Sequence, residues 1–312
     1  MNTYTANGKL LLTGEYLVLK GALALAIPVR LGQTMLVRHC EEHSDKAIQW
    51  HAYKPEGHWF STILNLDTLE PIECDDQPKA EKLSQILKAV RELNPSVFEE
   101  GRCAHRLYIE THLDFDPEWG LGSSSTLIAN LAQWAEVDPY KLLKMTFGGS
   151  GYDIACSNAQ TPVFYQLEYD EPQVRSAAFN PSFAEHLFFV YQGKKQRSSK
   201  EVKSFNERML DYDCRDDVEA ISEISLALPN ITTIDDFQRF MDIHEDILAH
   251  CLDRNPVKLH FPDFEGSLKS LGAWGGDFLL AATKWPFEQV KAYFHSKGLD
   301  TIFKYHELYG SK

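Results

Sequence analysis

Trp119-Gly120-Leu121-Gly122-Ser123-Ser124-Ser125-Thr126-Leu127-Ile128-Ala129-Asn130 is the stretch from which the rest of this 312-residue chain can be read. Two glycines bracket Leu121, and three serines and a threonine then run into an apolar segment of helical spacing. Leu127, Leu131 and Trp134 share one face of that segment, with Ile128, Ala132 and Ala135 beside it. Glycines let the backbone turn tightly and come close to a ligand. Serines at the mouth of a helix leave hydroxyls and unpaired N–H groups pointing outward, at an end that carries partial positive charge. Such an end suits an anion, phosphate above all. The local pattern leaves two readings open, a phosphate cradle and an ordinary capped helix.

Composition narrows the classes. The chain carries 31 Lys and Arg against 45 Asp and Glu, a formal charge of −14. That balance argues against nucleic-acid or anionic-membrane partners, which need a positive field, but leaves room for a small anionic ligand in a local positive pocket. The first nine residues are polar and Leu10–Leu12 is too short for the apolar core of a signal peptide. No apolar run reaches the length of a membrane span. Six cysteines (40, 74, 103, 156, 214 and 251) are scattered without C-x-x-C pairs, which favours reduced thiols and a cytoplasmic location. Length favours two domains, 1–172 and 173–312, divided at the acidic turn Tyr169–Pro172.

The pattern of elements is α+β in both halves. Lys9–Leu12 and Tyr16–Leu19 read as short strands around Thr13-Gly14-Glu15, and Gln33–Arg38, Ala47–Ala52 and His58–Leu64 as further strands, the last two a hairpin through Pro55-Glu56-Gly57. Glu70–Pro78 reads as a surface loop, and Lys79–Leu93 as an amphipathic helix stopped by Asn94-Pro95. Arg106–His112 reads as the strand that leads to the glycine–serine turn. A helix follows the Asp138-Pro139 cap, and a second glycine cluster follows at Gly148-Gly149-Ser150-Gly151-Tyr152-Asp153. Thr161–Glu168 and His186–Gln192 are strand-like, and Ser204 to about Cys251 is mainly helical. Gly272–Ala282 is a third glycine-rich stretch feeding a strand, before a helix at Pro286–His295 and a strand at Thr301–Tyr305.

Several familiar chemistries are missing. Neither G-x-x-x-x-G-K-[ST] nor G-x-G-x-x-G occurs. There is no convincing nucleophile motif of a serine hydrolase. No H-E-x-x-H occurs, and His244 and His250 are six residues apart, the wrong spacing for one metal on one helix face. Lys194, Lys195, Arg197, Lys200 and Lys203 form a basic island in an acidic chain. It reads either as a solvated loop or, with the hydroxyls of Ser198 and Ser199, as a site for an anionic acceptor.

The three glycine segments, together with Gly8-Lys9-Leu10-Leu11-Leu12-Thr13-Gly14-Glu15-Tyr16, resemble the GHMP kinases (galactokinase, homoserine kinase, mevalonate kinase and phosphomevalonate kinase), the four signatures falling in that family's order from Gly8 to about Ala282. Pro117-Glu118-Trp119-Gly120-Leu121-Gly122-Ser123-Ser124-Ser125 is similar to that family's P-x-x-x-G-L-G-S-S-A loop, one residue shorter after the proline. The resemblance implies a two-domain α+β fold, with an N-terminal ATP-binding domain and a ferredoxin-like C-terminal domain. It implies ATP phosphates over Gly120, Leu121, Gly122, Ser123, Ser124 and Ser125, with Ser124 on Mg²⁺, and monomers or homodimers acting on a small-molecule acceptor. It makes Asp153 the catalytic aspartate and Lys9 its cationic neighbour. The family's upstream metal carboxylate has no match, since Leu142–Phe147 contains no acid, and Glu136 and Asp138 are the nearest substitutes.

The same resemblance places acceptor contacts at Glu15, Tyr16, Ser150, Gly151, Lys194, Lys195, Arg197, Ser198, Ser199, Gly275, Gly276 and Asp277. Gly272-Ala273-Trp274-Gly275-Gly276-Asp277 is similar to the G-A-G-G-G-D of phosphomevalonate kinases, with Trp274 in place of a glycine. The expectation is therefore a phosphomevalonate-type kinase of isoprenoid precursor synthesis. A mevalonate kinase, another GHMP kinase with a different hydroxyl acceptor, and a non-catalytic nucleotide sensor on the same fold remain the alternatives.

Overall fold

A computed structural model describes residues 1–40, 46–98, 106–194, 198–272, 274 and 276–309. The chain forms two compact units. The first comprises Met1–Gly8, Leu31–Pro117 and Gly122–Asn158, and the second Lys9–Arg30, Glu118–Leu121 and Ala159–Lys312. Two long strands, β1 (Asn2–Thr13) and β2 (Ala24–Cys40), give residues to both.

In the first unit β3 (Ala47–Lys54) and β4 (Gly57–Asn65) form the hairpin legible around Pro55-Glu56-Gly57. Alternation fixes its register: Phe60, Thr62 and Leu64 face inward. Glu70–Pro78, expected as a loop, instead supplies strand β5 (Pro71–Cys74) on the edge of β4 and the cap of helix α1 (Gln77–Leu93). The acidic side chains that suggested a loop are solvated while the backbone pairs, and the Asp76 carboxylate accepts the Lys79 N–H at 3.1 Å. β6 (Arg106–Leu113) runs parallel to β3 and antiparallel to Gln33–Cys40 of β2.

Three helices follow, α2 (Ser123–Ala135), α3 (Pro139–Thr146) and α4 (Tyr152–Ser157), with α3 and α4 both packed on α2. Ile48, Trp50, Leu87, Ile109, Ile128, Leu131 and Ile154 meet in one core, each such side chain contributing about 1.5–3 kcal/mol by leaving water. Two buried hydrogen bonds fix α2 on β2: Asn130 Nδ2 donates to the Gln33 carbonyl and Thr126 Oγ1 to Gln33 Oε1, both at 3.0 Å.

In the second unit the segment expected as strand Tyr16–Leu19 is one 3₁₀ turn, Leu17–Lys20. Gly14 (φ 93°) and Tyr16 (φ 60°) break the extended path, and the Val18 N–H returns to the Gly14 carbonyl at 2.9 Å. Ala24–Ala26 of β2 pairs with β7 (Val163–Glu168), which turns through Tyr169 and Asp170 into β8 (Glu171–Ser176). Then come β9 (Leu187–Tyr191), α5 (Ser198–Arg208), α6 (Arg215–Ala227), α7 (Ile234–Leu252) and β10 (Ser267–Leu271). The chain closes with β11 (Phe278–Ala282), α8 (Phe287–Ser296), β12 (Ile302–Lys304) and α9 (Tyr305–Leu308). Strands β10-β11-β9-β12 form an antiparallel sheet, with Phe188, Val190, Leu268, Leu279, Val290 and Phe294 in its core. Among the described residues no helix is long and apolar enough to cross a membrane.

Candidate active site

The turn that opens α2 has the form its residues suggest. Gly120 and Gly122 both adopt left-handed φ (71° and 97°), and Gly122 is the helix N-cap. No described side chain caps this end and the first turn holds no acid, so among the described residues the first-turn amides keep their donors at the positive end of the helix dipole. Ser124 is exposed and Ser123 half-buried. Ser125 is turned inward, its hydroxyl donating to the Gly122 carbonyl at 2.9 Å. Of the three serines, Ser124 is therefore the one whose hydroxyl faces solvent.

Asp153 opens α4 behind Gly151. Ile154 shares the core with Ile128 and Leu131 of α2, so two glycine-opened helices pack together in one unit. Asp153 is half-buried, and its carboxylate makes no hydrogen bond or ion pair among the described residues. Ser150 lies in the turn before it, while Gly148 and Gly149 border open space.

Within the second unit the structure brings Lys9, Gly120, Leu121 and Asp277 together. Lys9 is 8% exposed. Its backbone N–H donates to the Leu121 carbonyl at 3.0 Å and its Nζ to the Gly120 carbonyl at 3.1 Å. Asp277 packs on the other side: a Cβ on Gly120 would lie 2.5 Å from Asp277 Cγ and 2.6 and 2.8 Å from its carboxylate oxygens. Asp277 is buried at φ 53°, its N–H donating to the Lys194 carbonyl and its own carbonyl accepting from Gln192 N–H, both at 2.9 Å. Gln192 Nε2 also donates to the Gly276 carbonyl at 2.7 Å. Gly120 is thus held between an ammonium and a carboxylate.

Glu15 and Tyr16 lie deeper. Glu15 is 3% exposed and accepts from Lys269 Nζ at 2.5 Å. Burial pushes its carboxyl above the usual range, against the pull of Lys269 and, more weakly, Lys9. The Tyr16 hydroxyl accepts the backbone N–H of Trp274 at 2.7 Å, and Trp274 is itself buried. The Tyr16 ring lies 5.5 Å from that of Phe205 on α5.

The basic island is only partly visible. Lys194 is exposed, whereas Lys195, Arg197 and Gly275 fall outside the described residues. Ser198 and Ser199 form the first turn of α5, and their side chains fall outside the description. Glu136 and Asp138 sit beyond the far end of α2, about 20 Å of helix from Ser123. Asp138 is the N-cap of α3, accepting from Tyr140 N–H at 2.8 Å. Neither can therefore join Ser124 on a metal. Among the described residues no cluster of three His, Cys, Asp or Glu side chains could hold one. The buried partners of Glu15, namely Lys269 and His244, and the buried Glu245 beside His244 had no motif to announce them. Their one signal was polar residues set in otherwise apolar periodic segments.

No protein-family model matches the chain, and no curated protein matches it by sequence. Solved structures do. Phosphomevalonate kinase from Streptococcus pneumoniae, in complex with phosphomevalonate and AMPPNP, superposes with a TM-score of 0.70 at 16% identity, over 97% of this chain and 100% of that one. The mevalonate kinase of Methanococcus jannaschii gives 0.68 at 16% identity, covering 97% and 96%. The galactokinase of Lactococcus lactis, complexed with galactose, gives 0.64 at 12% identity, covering 96% and 92%. At these identities the likeness is one of fold: the chain has the α+β fold of the GHMP kinases over 97% of its length.

Proposed function

We propose that this chain is an ATP- and Mg²⁺-dependent phosphotransferase acting on a small anionic acceptor of the phosphomevalonate kind. The observation that carries the reading is the open N-terminus of α2, where amides with no side-chain cap among the described residues and the exposed Ser124 hydroxyl suit an anion. The Asp153 carboxylate on the adjoining helix α4, which makes no hydrogen bond or ion pair among the described residues, supports it. On this reading 1–172 is the ATP-binding domain and 173–312 the C-terminal kinase domain.

The donor set suits Mg²⁺, which takes few protein ligands and keeps phosphate oxygens and waters. Ser124 would supply one hydroxyl. When bound, the ion neutralises charge on the transferring phosphates. The residues of the chain do the rest. Ser123 and Ser124 bind polyphosphate oxygens through backbone N–H groups. Asp153 orients the acceptor oxygen, and on a hydroxyl acceptor takes its proton at the carboxylate. An acceptor phosphate is already ionised and needs orientation only. Lys9 holds the Gly120 carbonyl and stabilises transferring charge. Lys194, Lys195 and Arg197, with Ser198 and Ser199, supply positive charge and hydroxyls for an acceptor anion. Glu15, Tyr16, Ser150, Gly151, Gly275, Gly276 and Asp277 shape the acceptor's surroundings.

ADP release from Mg·ATP, measured with phosphomevalonate, mevalonate, galactose and other sugars, tests this. Turnover with phosphomevalonate above the others is expected. Asp153→Asn should lower kcat on any hydroxyl acceptor by about 10²–10⁴-fold. Turnover of mevalonate alone would move the acceptor assignment. Mg·ATP binding with transfer to no acceptor would overturn the enzyme reading in favour of a nucleotide sensor.

A further inference from the structure

Behind the Gly14–Tyr16 turn lies a set of buried ionisable groups that the proposed chemistry does not use. Lys269, on β10, and His244, on α7, are both 0% exposed, and Glu245 beside His244 is 2% exposed. Lys269 Nζ donates to Glu15 Oε1 at 2.5 Å and to the Ser270 carbonyl at 2.9 Å. Glu245 accepts from Val257 N–H, Ser270 N–H and Ser270 Oγ at 3.1, 3.0 and 3.1 Å. His244 Nε2 accepts the Gly14 N–H at 3.0 Å, so that nitrogen carries no proton and the ring is neutral. Its Nε2 lies 3.5 Å from Glu15 Oε2, with no proton to donate there. With His244 neutral, Lys269 is the cation whose field reaches both Glu15 and Glu245, and Lys9 acts on Glu15 more weakly.

Stability alone is a poor account of such a group, because a buried ion pair replaced by apolar residues of similar shape is often no less stable. What the group does hold is a strained turn. Tyr16 has φ 60° and ψ −51°, a conformation that a bulky residue keeps only when its surroundings enforce it. Gly14 is fixed by His244, and Glu15 by Lys269. Tyr16 in turn fixes the third glycine segment, by accepting the Trp274 N–H.

We infer that Lys269 is a positioning residue: by holding Glu15 inside the fold it sets the Gly14–Tyr16 turn and, through the Tyr16 hydroxyl, the Trp274 backbone of the third glycine segment. The consequence for acceptor binding rests on the kinase reading above, whereas the structural link does not. Lys269 is fully buried. It acts through Glu15 and Tyr16, and its removal loosens the acceptor's surroundings without touching the residues that open α2.

The test compares wild type with Glu15→Gln, which keeps shape and removes the charge, and with the neutral double variant Glu15→Gln/Lys269→Met. Tyr16→Phe serves as the reference for a lost Trp274 bond. Amide exchange at Trp274 should rise in both Glu15 variants toward the rate in Tyr16→Phe, while the amides of β11 stay protected. The KM for the acceptor should rise by roughly ten- to a hundredfold, with that for ATP unchanged. Wild-type protection at Trp274 in a folded double variant overturns the inference, and should the double variant fail to fold, Glu15→Gln decides. If wild type turns over no acceptor, the kinase reading falls, and exchange at Trp274 still decides the role of Lys269.

Discussion

Gly120→Ala is the substitution for which the structure gives the most definite magnitude. The new Cβ would lie 2.5 Å from Asp277 Cγ and 2.6 and 2.8 Å from its two oxygens, at a residue whose φ is 71°. The left-handed backbone alone disfavours alanine by roughly 1–2 kcal/mol. The collision adds about 1–3 kcal/mol, the usual penalty of overpacking. Asp277 cannot simply swing away: it is 6% exposed, and its backbone is tied to Lys194 and Gln192. The variant should therefore lose about 2–5 kcal/mol of stability. Urea unfolding of Gly120→Ala, Asp277→Ala and the double variant separates the two contributions. In the Asp277→Ala background the collision is gone, and the glycine substitution should cost only the backbone part, about 1–2 kcal/mol. Equal costs in the two backgrounds would show that the Asp277 carboxylate does not pack on Gly120, and the account of the loop would be wrong.

Three further outcomes follow from other residues. Burial and the charge of Lys269 hold His244 well below its ordinary value of 6.5, so the unfolded chain takes up a proton there that the folded one refuses. The stability His244 confers is complete above about pH 6.5 and is lost as pH falls below it, by up to about 1.4 kcal/mol per pH unit. The raised carboxyls of Glu15 and Glu245 work in the opposite sense, favouring the folded state as pH falls. The quantity to measure is therefore the stability gap between wild type and His244→Asn, which should narrow below pH 6.5; parallel curves refute the neutral buried histidine. Asn130→Ala removes a buried donor from the Gln33 carbonyl, and chemical denaturation should show a loss of about 1–3 kcal/mol. Asp138→Ala strips the cap of α3 and should lower stability by about 1 kcal/mol, whereas a larger effect on activity than on stability would argue against a purely structural Asp138.

Much of the fold was legible because its determinants are local. The β3–β4 hairpin follows from alternation on both sides of Pro55-Glu56-Gly57, α1 from the stripe Leu83, Ile86, Leu87 and Val90, and the opening of α2 from two glycines and the serines after them. The turns that open α2 and α4 were legible for the same reason, as short glycine motifs with fixed turn chemistry. What escaped depends on partners far away in sequence. β10 reads Ser-Leu-Lys-Ser-Leu, and nothing nearby explains a buried Lys269; its reason is Glu15, 254 positions earlier. Tyr16 looked like a strand residue because it opens the apolar run Tyr16–Leu19, yet it sits at positive φ after Gly14 and Glu15, which are held by His244 and Lys269. The contact of Asp277 with Gly120 is likewise tertiary, and the short run Glu70–Pro78 was misread because acidity marks exposure, not the absence of backbone pairing.

On the kinase reading, a nucleotide's polyphosphate rests on the peptide groups that open α2. Selective ¹⁵N labelling of serine reads that directly, by following the amide resonances of Ser123, Ser124 and Ser125 while Mg·ATP is added. The account predicts large, saturable shifts of these amides, reduced when ADP replaces ATP and absent with adenosine. Saturable ATP binding that leaves all three amides unmoved would contradict it.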